Sequence, residues 1–391
     1  MSGLLAALHL FTSGCTSVTT TVSTHESPTP EHIVRLFSNV AAEPPEETRS
    51  MAAQRHMQTL PAVGRDDLLA AIKGPRSGAV ACERSATADA NPLDEIERLA
   101  QETRLVIVNE AHDRPSHREF IRQIAARLND VGYSVFAAET FGPRIGASPS
   151  EPFARVNDGY YSNEPVFGNL IRSVKGLGYE LRAYEYRGPY DDSKGQWERA
   201  NAREEGQADN LMQVLSQMQD HERLLVHVGY SHASEVPIPS FEGKTLRWMA
   251  ARLKAKSGID PLTIDNTGCL SNSMNPELSQ ASHRHEQGQF DVVVGHPDVQ
   301  FASGRPTYRL IDGHQLVDLP DALLNDDKRV IVEVRRYDEP YDAVPVDRLL
   351  LRPGESLPLV LPDGKFRVSN YEEGADRYKE IAVFIKDGRI L

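Results

Sequence analysis

At 391 residues, 40% of them hydrophobic, the chain exceeds one minimal domain and can bury a sizeable core. Fifty-six Asp and Glu against 43 Lys and Arg give a formal net charge of −13, and without a dense Lys/Arg stripe this excludes a nucleic-acid partner. Three cysteines, Cys15, Cys82 and Cys269, exclude a disulfide framework and a CxxC metal pair, leaving one Cys82–Cys269 pairing open.

In chain order, residues 1–15 (MSGLLAALHLFTSGC) are apolar and end in Ser13-Gly14-Cys15, the small-residue pattern of a bacterial lipoprotein cleavage site. The expectation is a lipid anchor on Cys15 and a periplasm-facing place in the bacterial cell envelope. No stretch reaches the ~18 apolar residues of a membrane span. Residues 16–47 are rich in Ser, Thr, Pro and Glu, and residues 16–91 are expected to be a tether and poorly ordered N-terminal region, with short helices at His32 to Asn39 and Asp66 to Lys73.

From Pro92 the pattern becomes regular. PLDEIERLAQ has Pro in the first turn and Leu93, Ile96 and Leu99 on one face, which predicts a helix. Leu105 to Val108 reads as a strand, Pro115 to Leu128 as an amphipathic helix closed by Gly132, and Ser134 to Ala138 as the next strand. A Gly/Pro/Ser-rich stretch then suits a loop or lid. Further alternation follows: a helix at Leu170 to Leu177, strand at Tyr179 to Tyr184, helix at Glu198 to Gln219, strand at Leu224 to Val228, helix at Thr245 to Lys254, and strands at Leu262 to Ile264 and Phe290 to Val294. For residues 92–325 this predicts an α/β domain with a mostly parallel sheet and helices on both faces. For residues 326–391, short strand-like runs between Pro-Gly and Asp-Gly turns predict a small C-terminal all-β domain.

Ligands of parallel sheets bind beyond the carboxyl ends of the strands. Here the successive strands end in Glu110 and His112, Glu139, Glu185, His232 and Asp265. Two imidazoles and several carboxylates on one rim suit two chemistries. His112, His232 and Glu139 could hold a divalent metal, zinc or manganese, and lower the pKa of bound water to about 7. Alternatively, His and Glu could act as general base and orienting partner without metal. Arg203 is a candidate anion clamp, and Tyr160 and Tyr161 candidate lid residues. His227, inside a strand, reads as a buried structural histidine, and His283-Arg284-His285-Glu286 as an exposed loop.

The ordered set NEAHD, AAET, REEGQADNL, VGYSH and DPLTID resembles the erythromycin esterase, ChaN and TIKI superfamily over roughly residues 93–298, closest to the ChaN-type GExHD form. Asn109 stands where that pattern has Gly, which Asn suits through its tolerance of positive φ. The resemblance implies site roles for Glu110, His112, Glu139, Arg203 and His232. It also implies either a hydrolase of a small-molecule or peptide substrate or a haem-binding envelope lipoprotein; independently of it, strand-end Glu185 and lid residues Tyr160 and Tyr161 are expected near the ligand. Because a haem pocket needs apolar walls and this rim is carboxylate-rich, hydrolysis is the primary expectation.

Overall fold

The computed structural model describes residues 23–25, 29–40, 51–73, 80–83, 90–147, 150–189, 191–282 and 285–391. Cys15 and the lipoprotein-like segment therefore lie outside the described residues, as do His283 and Arg284.

A seven-stranded sheet runs in the order Glu180–Ala183, Tyr133–Ala138, Arg223–Gly229, Leu105–Glu110, Leu262–Asp265, Val292–Gly295 and Glu277–Ser279. Its first six strands pair in parallel and the last is antiparallel. All six residues of Leu105–Glu110 are buried. The period-2 pleat sends Val106 and Val108 into a core with Ile121, Ile124 and Leu128. Leu105 and Ile107 enter the opposite core with Leu211, Met249 and Leu253. Cutting Ile107 back to Ala would cost about 2–5 kcal/mol, since both sides of its strand are closed.

The expected mostly parallel α/β architecture with a small β appendage is corrected by the remaining strands. Parallel ladders are confined to this one sheet, and the other four sheets described are antiparallel, so the fold is mixed α/β. The largest of the four has six strands, ordered Ser23–His25, Tyr378–Lys386, Gly364–Glu372, Val330–Arg336 and Asp347–Leu351, with Arg389–Ile390 beside Tyr378–Lys386. Gln315–Val317, placed before the expected boundary at 326, pairs with Leu359–Leu361. The helix–strand alternation of residues 92–300 concealed this, because alternation reports local connectivity and not how distant strands pair.

The stretch expected as a tether also contributes structure. Glu31–Asn39, Met51–Ala62 and Asp66–Lys73 are helices. Ile33, Leu36, Phe37 and Leu60 bury against Ile331, Leu350 and Tyr371 of the antiparallel sheet. Beneath them the buried Glu333 carboxylate accepts bonds from Arg348 Nε at 2.8 Å and Arg335 at 2.6 Å, with His32 Nε2 at 3.2 Å. Glu31–Asn39 and Asp66–Lys73 match the short helices expected within the tether, whereas Met51–Ala62 and the docking of all three were not legible in composition.

Cys82 and Cys269 form a disulfide between a short strap and the loop after Leu262–Asp265. Ala81 and His296 flank Leu270 in parallel bridges, so the strap extends this end of the seven-stranded sheet. No helix among the described residues is long and apolar enough to cross a membrane.

Candidate active site

The carboxyl ends of the four strands from Glu180–Ala183 to Leu105–Glu110 bring most of the expected residues together. Glu110, the last residue of its strand, is fully buried. Arg118 clasps it through Nε at 2.8 Å and a terminal nitrogen at 2.9 Å. The same guanidinium reaches Glu164 at 3.0 Å, and Glu164 caps the Pro165–Gly176 helix by accepting from Val166 N and Phe167 N. His112 Nδ1 lies 3.1 Å from Glu110 Oε1. An ionised carboxylate only accepts, so Nδ1 carries the proton and Nε2 keeps its lone pair. The Arg118 and His227 charges outweigh desolvation and hold Glu110 well below the usual carboxylate range.

The His112 ring is held between Tyr161, 4.6 Å away centroid to centroid, and the edge-on Tyr230 at 5.2 Å. The neighbouring strand must leave room for it. A Cβ on Gly229 would come 2.4 Å from His112 Cε1, 2.6 Å from Nε2 and 3.0 Å from Glu139 Oε2, so only glycine fits. The turn after Gly229 is strained as well: Tyr230 has φ of 39°, a left-handed conformation unfavourable for a bulky residue. Asn109 ties this turn down, donating to Tyr230 O at 2.9 Å and to Asp265 Oδ1 at 2.6 Å. Asn109 itself is not at positive φ, so the conformational role expected for it is replaced by this bridging one.

Glu139 lies between the two histidines. Its Oε2 accepts from Gly229 N at 2.7 Å and from the Tyr161 hydroxyl at 3.3 Å. Its Oε1 pairs with Arg203 and lies 3.5 Å from His232 Nε2. His232, Arg203 and His112 together overcome burial and bring its pKa down to about 2. His232 sits in the turn after Arg223–Gly229, with Nδ1 2.8 Å from Glu204 Oε2, which also accepts from Met249 N at 2.9 Å. In the neutral imidazole Nδ1–H donates to Glu204 and Nε2 accepts from Arg203 at 3.0 Å. Burial opposes a charge on His232, but Glu204 and Glu139 prevail and raise its pKa above the ordinary value of 6.5. Arg203 completes the group by binding Glu185 through Nε at 3.1 Å.

The expected residues thus separate. Glu110, His112, Glu139, Glu185, Arg203 and His232 form one connected group. Tyr161 joins it, whereas Tyr160 is 72% exposed with its ring edge-on to that of Tyr161. Asp265 and His285 form a neighbouring pair at 3.0 Å, with His285 Nδ1 accepting from Ser282 N. His285 is therefore not in the exposed loop expected for it: its side chain is 6% exposed and edge-on to Phe290. His227 is buried, as read from its strand, with Nε2 3.1 Å from Glu110 Oε2.

Arg118, Glu164 and Glu204 were missed. Two of them carried a signal in the helical period. Arg118 falls three and seven residues before Ile121 and Ala125, on the buried stripe of the Pro115–Asp130 helix. Glu204 precedes Ala208 and Leu211 by four and seven residues on the stripe of Gln196–Gln217. An ionic residue on an apolar stripe marks a buried network.

The fit to a metal is poor. No group of three or more His, Cys, Asp or Glu among the described residues is arranged to hold an ion. The expected set His112, His232 and Glu139 faces the Arg203 guanidinium, which bonds to both Glu139 and His232 Nε2, where zinc or manganese would need their lone pairs. Haem fits no better, since both faces of the His112 ring environment are taken by Tyr161, Tyr230 and the buried carboxylates instead of open apolar walls.

No family model matches the chain, and no curated protein matches it. Among solved structures it is similar to the type III effector HopBA1, at 14% identity and a TM-score of 0.38, over 56% of this chain and 99% of that one. It is also similar to RRSP, a MARTX toxin effector domain from Vibrio vulnificus CMCP6, at 15% identity and 0.34, over 61% and 46%. A third is the C-terminal region of Pasteurella multocida toxin, at 11% and 0.34, over 81% and 51%. Likenesses this distant carry no argument about activity.

Proposed function

We propose that the chain is a hydrolase of ester-type substrates that activates water by acid–base catalysis without a metal. The observation that carries this reading is the pair of carboxylate-bound imidazoles, Glu110–His112 and Glu204–His232, on either side of Glu139. In each, a buried carboxylate fixes the Nδ1 proton, the orienting logic of a catalytic dyad, leaving Nε2 open on His112 and beside Arg203 and Glu139 on His232. His112 Nε2, which no described residue binds, takes a proton from water. His232, whose proton affinity Glu204 and Glu139 raise, returns one to the leaving group from its protonated form. On protonation its Nε2–H faces Glu139 Oε1 at 3.5 Å. Arg203 stabilises negative charge developing on the substrate oxygen.

The motif likeness to erythromycin esterases supports the same reading. An anchored, periplasm-facing location is proposed with it. Ser13-Gly14-Cys15 supports the anchor, and the Cys82–Cys269 bond supports an oxidising compartment. The test is a panel of chromogenic esters with purified protein, His112→Asn, and the wild type treated with chelator. The expected result is turnover that falls by at least ~100-fold in His112→Asn and is unchanged by chelator. Loss of turnover on chelation, or full activity in His112→Asn, would overturn the proposal.

A further inference from the structure

A second cleft lies away from this site, between the helices that follow Glu110 and Glu164 and the antiparallel sheet. Its volume is about 280 Å³, room for a molecule of roughly ten non-hydrogen atoms if ~30 Å³ is allowed for each water-sized group. Val166, Ile311 and Val346 give the walls their apolar part, and four guanidinium groups line it against only two carboxylates, Glu119 and Asp312. Three of these guanidiniums have carboxylate partners. Arg172 is bidentate with Glu339 at 2.8 and 2.6 Å. Arg309 binds Asp347 at 2.6 Å, and Arg122 binds Glu119 and Asp312. Asp347 is shared, since Arg305 also binds it at 2.7 Å.

Arg336 has no partner. It stands exposed at the end of the Val330–Arg336 strand and lines the cleft, and its guanidinium forms no hydrogen bond or ion pair with any described residue. The outer terminal nitrogen of Arg122 is likewise unbonded among the described residues, because Glu119 and Asp312 take its Nε and its other terminal nitrogen. The fixed pairs hold the walls apart, so the cleft exists before any ligand arrives. Clefts of mainly apolar lining with a few placed polar groups, set between packed units, are where small molecules bind.

We propose that this cleft is a binding site for a small organic anion, a carboxylate or phosphate ester with an apolar body, whose charge is held by Arg336 and Arg122. The free guanidinium fork of Arg336 matches the planar acceptor pair of such a group. The apolar body lies against Val166, Ile311 and Val346. Nothing in the hydrolytic proposal uses these residues, so the two stand or fall separately.

The test is calorimetric titration of the full chain with benzoate, and with benzamide as its uncharged counterpart, in wild type, Arg336→Ala and His112→Asn. The expected result is benzoate binding that is at least tenfold tighter than benzamide, weakened at least tenfold in Arg336→Ala and unchanged in His112→Asn. Arg336 is exposed, so its removal leaves the fold intact, which thermal unfolding of the variant checks. Absence of benzoate binding, equal binding of benzamide, affinity unchanged in Arg336→Ala, or loss in His112→Asn, which would place the anion in the catalytic group, would each overturn the proposal.

Discussion

Asp66 opens the Asp66–Lys73 helix that packs against the antiparallel module, and it is almost wholly buried. Burial raises its pKa from 3.8 to about 6, against the opposing pull of the Tyr308 hydroxyl, 3.0 Å away, and the Arg305 and Arg309 charges. The folded pKa exceeds the unfolded one, so the fold favours the protonated carboxyl. That stabilisation is complete below pH 3.8 and is lost as pH rises through about 6. At neutral pH the charge then costs about 3 kcal/mol, two pKa units at roughly 1.4 kcal/mol each. Asp66→Asn removes the charge and keeps an acceptor for Tyr308, while its new amide N–H needs a partner at a cost of about 1 kcal/mol. A net gain of about 2 kcal/mol is expected at pH 7.5. At pH 5 the wild-type cost has fallen to about half, so the gain should shrink to under about 1 kcal/mol. Urea unfolding of both proteins at the two pH values measures this directly. A gain independent of pH, or destabilisation at pH 7.5, would refute the reasoning that burial dominates at this carboxyl.

Gly229→Ala should cut ester turnover by about 100-fold while the protein stays folded, because its Cβ displaces the His112 ring by an ångström or so; steady-state kinetics with a melting curve checks it. Glu204→Gln should lower the His232 pKa, seen in the imidazole proton titration by NMR, since Glu204 is the largest influence raising it; an unchanged titration would mean Glu139 alone holds the charge. His232→Gln should flatten the alkaline limb of the turnover profile, which falls in the wild type at a pH above 6.5 as the imidazolium is lost. Reducing the Cys82–Cys269 bond, which closes a loop of 187 residues, should lower stability by up to about 5 kcal/mol, read as a drop in melting temperature with reductant that Cys82→Ser reproduces without it.

Some of this was legible in the sequence. Leu105–Glu110, the Pro115–Asp130 helix and the turn bearing His232 follow from local pattern, because a strand closed on both faces must be apolar throughout and must end where polar residues begin. The rim residues were found for the same reason. What local pattern does not encode is pairing at a distance. Ser23–His25 lies beside Tyr378–Lys386, more than 350 residues on, and nothing in three residues of Ser-Thr-His announces it. Nor does a list of polar rim residues reveal that Arg203 fills the space between His232 and Glu139, which turned an expected metal set into a hydrogen-bonded one. Register and side-chain reach decide that.

The docking of the 31–73 helices onto strands 330–372 bears on how the chain is made. On a ribosome the helices emerge first, and roughly 250 residues must follow before Val330–Arg336 appears, an interval of about 10–50 s at ordinary elongation rates of ~5–20 residues per second. Throughout it, Ile33, Leu36 and Phe37 lack the cover that Ile331, Leu350 and Tyr371 later provide. The seven-stranded sheet can assemble in the meantime, since its strands all lie between Leu105 and Gly295. Folding is then sequential from the middle outwards, with these helices among the last parts to settle, and a holding chaperone that masks one narrow apolar face for under a minute would suffice to protect them.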